Sequence, residues 1–459
     1  MKENKFSNSI GHCLNLRVRI IILFILTITL ASNPNSYSQD NTTITEDEKK
    51  EVITSLCERI EKIYISEDIA LMVSASIKEK LGKNEYSGYD TPQEFAARLD
   101  KDLQELSNDK HLGITYNPKQ AKEIKEQEKV NEILAYLTPE IINEERNKNF
   151  GFKYLEILDG NIGYLDLRFF SHPKYAGETA VAVMEYFSNC DALIIDLRKN
   201  GGGWGEMGVL LSSYFFSGDT LVQFGGSYSR SKNMEYQNWS LLYVPGKRLP
   251  DIPLYILTSE STFSAAEDFS YNLKHLGRAI IVGATTRGGA HPLNISVVSD
   301  FILYIPDQMS IHPVTKSNWE GVGVKPDIEI KPEDAFNYAY MEALKTLVAK
   351  TTDEEKQSKY QWAIEGLNAR INKVLISEEV LKSYAGKYDT RSIYYENGQL
   401  LYQYGDRAKG KMIPLTEDYF ALEDYDYVRV KFIKENGNVT SLEEIFDDGT
   451  ILKKIKNEP

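Results

Sequence analysis

Residues Leu254–Lys274 read LYILTSESTFSAAEDFSYNLK, and the fold turns on the middle of that stretch. The opening LYIL is an apolar run of strand type. From Ala266 onward apolar residues recur at Phe269, Leu273 and Leu276, the spacing of a buried helix face, and Gly277 supplies a stop. A strand therefore hands over to a helix, with Ser264 in the helix's first turn. Two readings of this serine are open. In Ser264-Ala-Ala-Glu267 the serine can cap an orphan amide while the glutamate reaches back, a capping box. The same geometry can present a nucleophilic hydroxyl beside backbone amides that carry positive partial charge.

A second stretch, ALIIDLRKNGGGWGEMG from Ala192 to Gly208, repeats the strand-to-helix handover through Gly201-Gly202-Gly203. Consecutive glycines let backbone amides approach a ligand closely. Gly203-Trp-Gly205-Glu-Met-Gly208 also satisfies GxGxxG. The next strand candidate, TLVQFGGS, lacks the terminal acid that would hold a ribose. The amides are better suited to a developing oxyanion.

The chain has 459 residues, of which 42% are apolar and 26% charged, enough for two or three domains with a sizeable core. A net charge of −14 argues against nucleic acid or an anionic membrane surface as a partner. Lys2, Lys5, Arg17 and Arg19 precede the short apolar run Ile20–Ala31, and small Ser36 and Ser38 follow it. This is the pattern of a secretory signal. Cleavage near Ser38 would release an exported chain, periplasmic or extracellular, with no integral membrane domain. Left uncleaved, the same run would be an anchor. Beyond Cys13 stand only Cys57 and Cys190, in no CxxC, either as one bridge or as buried thiols.

The texture changes along the chain. Residues 45–135 are helical, with capping boxes at Thr45/Glu48 and Thr91/Glu94 ahead of periodic apolar positions. A charged stretch begins at Lys119. Residues 140–335 alternate short apolar strands with helical stretches, the pattern of an α/β sheet with crossovers, and LNISVVSDFILYIP within them turns at Ser299-Asp300. Residues 336–376 return to helix as a connector. Residues 377–459 carry Asn397-Gly398, Asn436-Gly437 and Asp448-Gly449, three hairpin signals of a small all-β domain. Residues 1–38 are the expected signal peptide.

A serine nucleophile needs a base. Past the signal stand His111, His172, His275, His291 and His312. None pairs with another at metal-ligand spacing and HExxH is absent, so neither a metal nor another cofactor is expected. His111, in SNDKHLGITY, follows a helix end and precedes a strand-like run. It reads either as a surface loop histidine or as the base.

Four segments, DLRKNGGG, LTSESTFSAAED, RAIIVGATTRGGAHP and WEGVGVKPDIEI, occur in that order and together resemble the tail-specific (C-terminal processing) protease superfamily. The resemblance runs from Leu103 to Ile330, and its branch is the one holding the tricorn protease core and the interphotoreceptor retinoid-binding protein modules. It implies a crotonase-like α/β core of the tail-specific protease type, which the N-terminal helical bundle before it suits. With the small all-β domain after it, the chain is expected to be α/β with an N-terminal helical bundle and a C-terminal β domain. The resemblance also implies an exported serine peptidase with peptide or protein substrates. Ser264 is the nucleophile in that reading. The amides of Ala265 and Gly202, with Gly201 close behind, form the oxyanion hole. Bacterial processing proteases place a base lysine where this chain has Gly289, so a Ser-Lys dyad is missing. The tricorn-like arrangement makes His111 the base and Glu320 its orienting acid, which should raise the histidine's titration. His291 stays outside this triad, and Glu267→Gln should spare activity. Two departures stand out: Ala265 replaces tricorn's aspartate, and no PDZ-like insertion precedes the core. The competing expectation is a non-catalytic binding module for apolar ligands or peptides, with Ser264 only a cap. Oligomeric state is left open.

Overall fold

The computed structural model describes residues 42–128 and 137–457. The expected signal peptide, residues 1–38, and the end of the charged stretch lie outside the described residues. The N-terminal helices are α1 (Glu46–Ile63), α2 (Glu67–Gly82) and α3 (Pro92–Ser107). Their starts follow from local chemistry. Glu48 N–H donates to the Thr45 hydroxyl at 3.2 Å, and Thr45 N–H donates back to the Glu48 carboxylate at 2.7 Å. Thr91 caps α3 in the same way, accepting from Glu94 N–H at 3.3 Å. After α3 come β1 (Gly113–Tyr116), α4 (Pro118–Glu128) and α5 (Pro139–Asn147).

The central region runs β2 (Phe152–Leu158), β3 (Ile162–Leu167), α6 (Pro173–Tyr186), β4 (Ala192–Asp196), α7 (Gly205–Ser213), β5 (Gln223–Ser229), β6 (Met234–Trp239), β7 (Leu254–Thr258) and α8 (Ala265–His275). It continues through β8 (Ile280–Gly283), β9 (Leu293–Val298), β10 (Phe301–Pro306), β11 (Gln308–Ser310) and β12 (Ile328–Glu329). Six strands form one sheet in the order β12-β8-β7-β4-β3-β2, parallel except for the antiparallel edge strand β2. Strands β4 and β7 are buried along their whole length, as a parallel sheet covered on both faces requires.

Alternation along these strands assigns the two faces. Leu193, Ile195, Leu254 and Ile256 pack with residues of α6, α7 and α8. Ile194, Tyr255 and Leu257 point the other way, into α9 (Pro332–Lys350) and α10 (Glu354–Ile371). The helices expected as a connector are thus the second covering layer of the sheet. The strand from TLVQFGGS pairs with β6 and β11 in a separate antiparallel sheet instead of extending the parallel one.

One pairing ties the N-terminal helices to the core. The hairpin β9-β10 turns at Ser299-Asp300, and β10 also pairs with β1, Gly113 opposite Tyr304. Phe301, Leu303 and Ile305 of that hairpin pack among Val52, Leu56, Phe95 and Leu99 of the helices. Helical bundle and hairpin therefore share one core, and the chain just after His111 is held by residues far along the sequence.

The C-terminal region begins with α11 (Glu378–Tyr384). Eight antiparallel strands follow: β13 (Gly386–Tyr388), β14 (Arg391–Glu396), β15 (Gln399–Tyr404), β16 (Gly410–Pro414), β17 (Tyr419–Leu422), β18 (Tyr425–Glu435), β19 (Asn438–Phe446) and β20 (Ile451–Ile455). Asn397-Gly398 and Asn436-Gly437 turn with positive φ at both residues, as type I′ hairpins demand. Beyond β20 the chain returns to β13 through a Tyr388–Lys456 bridge and Asn457 N–H on Lys387 O at 2.8 Å, closing a barrel. Tyr384, Tyr388, Phe420 and Phe432 fill its interior, with Tyr384 stacked on Phe432 at 4.1 Å. The cysteines are free and buried, Cys57 among the N-terminal helices and Cys190 under the sheet, and burial pushes both thiols up to about 11. No helix among the described residues is long and apolar enough to cross a membrane.

Candidate active site

The cluster of hydroxyl residues before Ser264 binds one strand-to-helix turn to the other. Thr262 Oγ1 donates to Leu197 O at 2.8 Å, and Ser259 Oγ donates to Arg198 O at 2.6 Å. Phe263 N–H reaches Asn200 O at 3.1 Å. The turn after β7 is thereby laced to the turn after β4. Ser264, at the far end of that lacing, has a φ of 55°, in the left-handed region that disfavours a side chain. Strain of this kind persists only where the surroundings over-determine it, and it clusters at functional positions. The glutamate half of the capping box is present, with Ser264 N–H donating to Glu267 Oε2 at 2.8 Å.

Gly202, at φ 103°, touches the serine turn. A Cβ there would come within 2.7 Å of Ser264 Cβ and 3.0 Å of the Ala265 nitrogen. Only glycine allows this approach. The glycine-rich turn and the Ala265 amide thus flank Ser264 together. Gly202's own N–H donates to Asn200 Oδ1 at 2.8 Å. For that amide to serve an oxyanion, the Asn200 side chain must share it, or the neighbouring Gly201 must take the task.

His111 comes from the loop between α3 and β1. The helix ends at Asn108 in the left-handed conformation, and Asp109 Oδ1 then accepts His111 N–H at 2.8 Å. The imidazole stacks on Phe263, the residue preceding the serine, with ring centroids 4.5 Å apart. His111 is buried, and its Nδ1 has no hydrogen-bond partner. Burial is the largest influence on its titration and pulls it down to about 4; Asp109 opposes this, while His291 and Arg287 add to it. The expected upward shift is therefore reversed, because loss of solvation outweighs the nearby carboxylate.

Gly289, where a dyad lysine would stand, has no room for a side chain. A Cβ would lie 2.2 and 2.5 Å from the Phe263 ring and 2.7 Å from His111 Cε1. The space is filled by the phenylalanine and the histidine. The loop that carries Gly289 is held by Glu267, which is fully buried. Its carboxylate accepts from Gly288 N–H at 2.7 Å, Gly289 N–H at 2.9 Å, Ser264 N–H and the Thr286 hydroxyl. Burial raises its pKa to about 7, against those hydrogen bonds. Glu267 is therefore a hub between the serine turn and the loop, more than a helix cap. Four donors on one buried carboxylate argue against the expectation that Glu267→Gln leaves activity largely intact.

Glu320 enters from the loop before β12. Its Oε2 accepts Ala290 N–H at 2.6 Å and lies 3.7 Å from His291 Nδ1. It makes no ion pair with His111. Its Oε1 is buried and has no partner, and burial, with Asp109 adding, raises its pKa. Asp109 Oδ2 completes the group, accepting from the Tyr64 hydroxyl at 2.9 Å and lying 3.1 Å from His291 Nδ1. Burial works to raise Asp109, but the His291 bond and both imidazoles hold it below the usual carboxylate range.

The structure sets Gly202 and Ala265 against the Ser264 turn, stacks His111 on Phe263, the residue before the serine, and sets Glu320 beside His291. Among the described residues no hydrogen bond joins His111 to Ser264. Asp109 and Phe263 were missed from sequence. An acid just after a helix end and two residues before a candidate base was the available sign of Asp109. Nothing local pointed to Phe263.

The sequence model of Peptidase family S41 matches residues 161–330, and that of the N-terminal domain of Peptidase S41 in eukaryotic IRBP matches residues 44–150. The carboxyl-terminal-processing protease of Picosynechococcus sp. is 27% identical over 159 residues, 33% of this chain and 34% of that protein. The carboxy-terminal processing protease CtpA of Bacillus subtilis is 23% identical over 252 residues, 52% of this chain and 46% of that one. This chain therefore spans less than half the length of these relatives. The solved photosystem II D1 C-terminal processing protease superposes with a TM-score of 0.41 at 13% identity, covering 63% of this chain and 94% of that one, a likeness too distant to place residues. With both sequence models falling in order on the helical region and the sheet that carries Ser264, the chain belongs to peptidase family S41.

Proposed function

We propose that the chain is an exported serine peptidase that hydrolyses peptide bonds in peptide or protein substrates through Ser264 and His111. The observation that carries this reading is the filled site of the missing lysine. With Gly289 lacking a side chain, the His111 imidazole and the ring of Phe263, the residue preceding Ser264, occupy that space. A histidine from a different segment near the place where a dyad would put its lysine supports reading His111 as the base.

In this scheme Ser264 Oγ attacks the scissile carbonyl carbon and its proton passes to neutral His111. Negative charge develops on the carbonyl oxygen, and the amides of Ala265 and the glycine-rich turn receive it. Each such donor is worth about 3 kcal/mol in the transition state. His111 then returns the proton to the departing amine, and water repeats the sequence on the acyl-enzyme. Glu320 supports the imidazolium. His111 Nδ1 and Glu320 Oε1 are both buried without a partner, and a contact between them during catalysis would satisfy the two at once. Labelling the full chain with a serine-reactive fluorophosphonate tests the reading. Wild type should label and Ser264→Ala should not. A folded wild type that stays unlabelled would favour the binding-module alternative.

A further inference from the structure

Behind the base, three side chains from three separate loops converge on one point. His291 Nδ1 lies 3.1 Å from Asp109 Oδ2 and 3.7 Å from Glu320 Oε2, and the three atoms lie within 4.8 Å of one another. Among the described residues this is the one such group of histidine, cysteine or acidic side chains. A proton on Nδ1 accounts for only part of it. It can bond Asp109, while Glu320 remains beyond hydrogen-bond reach.

A tetrahedral ion bound at about 2.0–2.1 Å spaces its donor atoms roughly 3.3 Å apart, close to the 3.1 and 3.7 Å from His291 Nδ1 to the two carboxylates. One imidazole nitrogen and two carboxylates also give a charge of −2, which a divalent cation neutralises. The surroundings hold the donors as an outer shell does. The Tyr64 hydroxyl and the His111 N–H fix Asp109, and Ala290 N–H fixes Glu320 Oε2 at 2.6 Å. Glu320 Oε1, buried without a partner, is available as a second oxygen of a bidentate carboxylate. The Glu320 and His291 side chains keep 18% and 13% of their surface exposed, which leaves a way in for the ion and a solvent ligand.

We propose that Asp109, His291 and Glu320 form a regulatory site for a divalent transition cation of the zinc class, and that its occupation inhibits the peptidase. The bound ion would hold Glu320 away from His111 Nδ1 and stiffen Asp109, which grips the His111 backbone. The inhibitory half rests on the peptidase reading; the binding half does not.

The test separates the two. Chelator-stripped Ser264→Ala protein, which has no catalysis to lose, is titrated with Zn²⁺ against a chromophoric chelator. One equivalent should bind. The added change His291→Gln keeps an N–H for Asp109 but removes the ligand nitrogen, and should weaken binding by more than the roughly tenfold that loss of an outer-shell partner costs. Glu320→Gln, measured for binding alone, gives the same reading if His291→Gln folds poorly. In wild type, Zn²⁺ should slow fluorophosphonate labelling and EDTA should restore it. Absence of saturable Zn²⁺ binding, or equal binding by the ligand variants, overturns the site. Tight, His291-dependent binding by a chain whose wild type never labels upholds the site and overturns the peptidase reading instead.

Discussion

The nucleophile half and the base half of this site are built in opposite ways. Ser264, its glutamate partner and the Ala265 amide sit within one strand-to-helix turn, four consecutive residues whose geometry follows from a single helix start. His111, Asp109, His291 and Glu320 come from loops far apart in the chain and meet because β1 pairs with β10 and the helices share the hairpin's core. The first half is strained at Ser264, and its lacing to the turn after β4 holds it there. The second is assembled by long-range packing and still holds buried atoms without partners, His111 Nδ1 and Glu320 Oε1. A locally built element has its geometry set before the fold is complete. An assembled one inherits every displacement of the segments that carry it.

The sharpest way to break this comparison is Ser264→Ala. Removing the nucleophile should lower turnover by about 10⁶-fold while the thermal transition barely moves, since alanine meets the same backbone conformation. Residual activity well above that level, read by single-turnover acylation, would place the nucleophile elsewhere.

Glu320→Gln probes the assembled half. If Glu320 turns to His111 during catalysis, its loss should lower the acylation plateau by as much as about 10⁴-fold, as removal of a triad acid does. An unchanged plateau would leave Glu320 with His291 alone.

The pH response follows from burial. His111 must be neutral to accept the serine proton, and burial holds its titration down to about 4. In chelator, acylation should rise through an ionisation well below the ordinary value near 6.5 and be level at neutral pH. The same depression has a stability consequence. Between pH about 6.5 and 4 the unfolded chain takes up the proton first, so the contribution of His111 to stability falls as pH falls through that window. His111→Gln should flatten that part of the stability curve. A rise in acylation centred at or above pH 6.5 would show that His111 is more solvated in the working enzyme than in this structure.

The smallest expected effect sits where the halves join. Glu267 accepts from four donors, and an amide in its place must turn one N–H against another. Glu267→Gln should cost about 1–3 kcal/mol of stability, by denaturant unfolding, and slow labelling as the Gly288-Gly289 loop loosens. No change in either would reduce Glu267 to an ordinary cap.

Much of the fold was legible. Thr45 and Thr91 announced their helices because capping acts over three residues, and the Asn-Gly pairs announced their hairpins because only such residues accept two positive φ values. Ser264, Ala265 and the glycine-rich turn were legible for the same reason. His111 could be named as a candidate but not placed. Asp109, whose side chain bonds the backbone of His111 and also faces His291, was not foreseen, nor was Phe263 as the plate on which the imidazole rests.

The sequence by itself determined where the capped helices and the Asn-Gly hairpins start, which turn carries the serine, and that a glycine stands at the position the resemblance gives to a dyad lysine. These follow from interactions between near neighbours, whose geometry the backbone repeats wherever the residues recur. Tertiary structure alone decided that α9 and α10 cover the sheet and that Phe263 and His111 fill the space over Gly289. It also decided that burial, not the neighbouring carboxylate, governs the titration of His111. Each of these depends on which distant surfaces exclude water together, a quantity set only when the separate segments have packed.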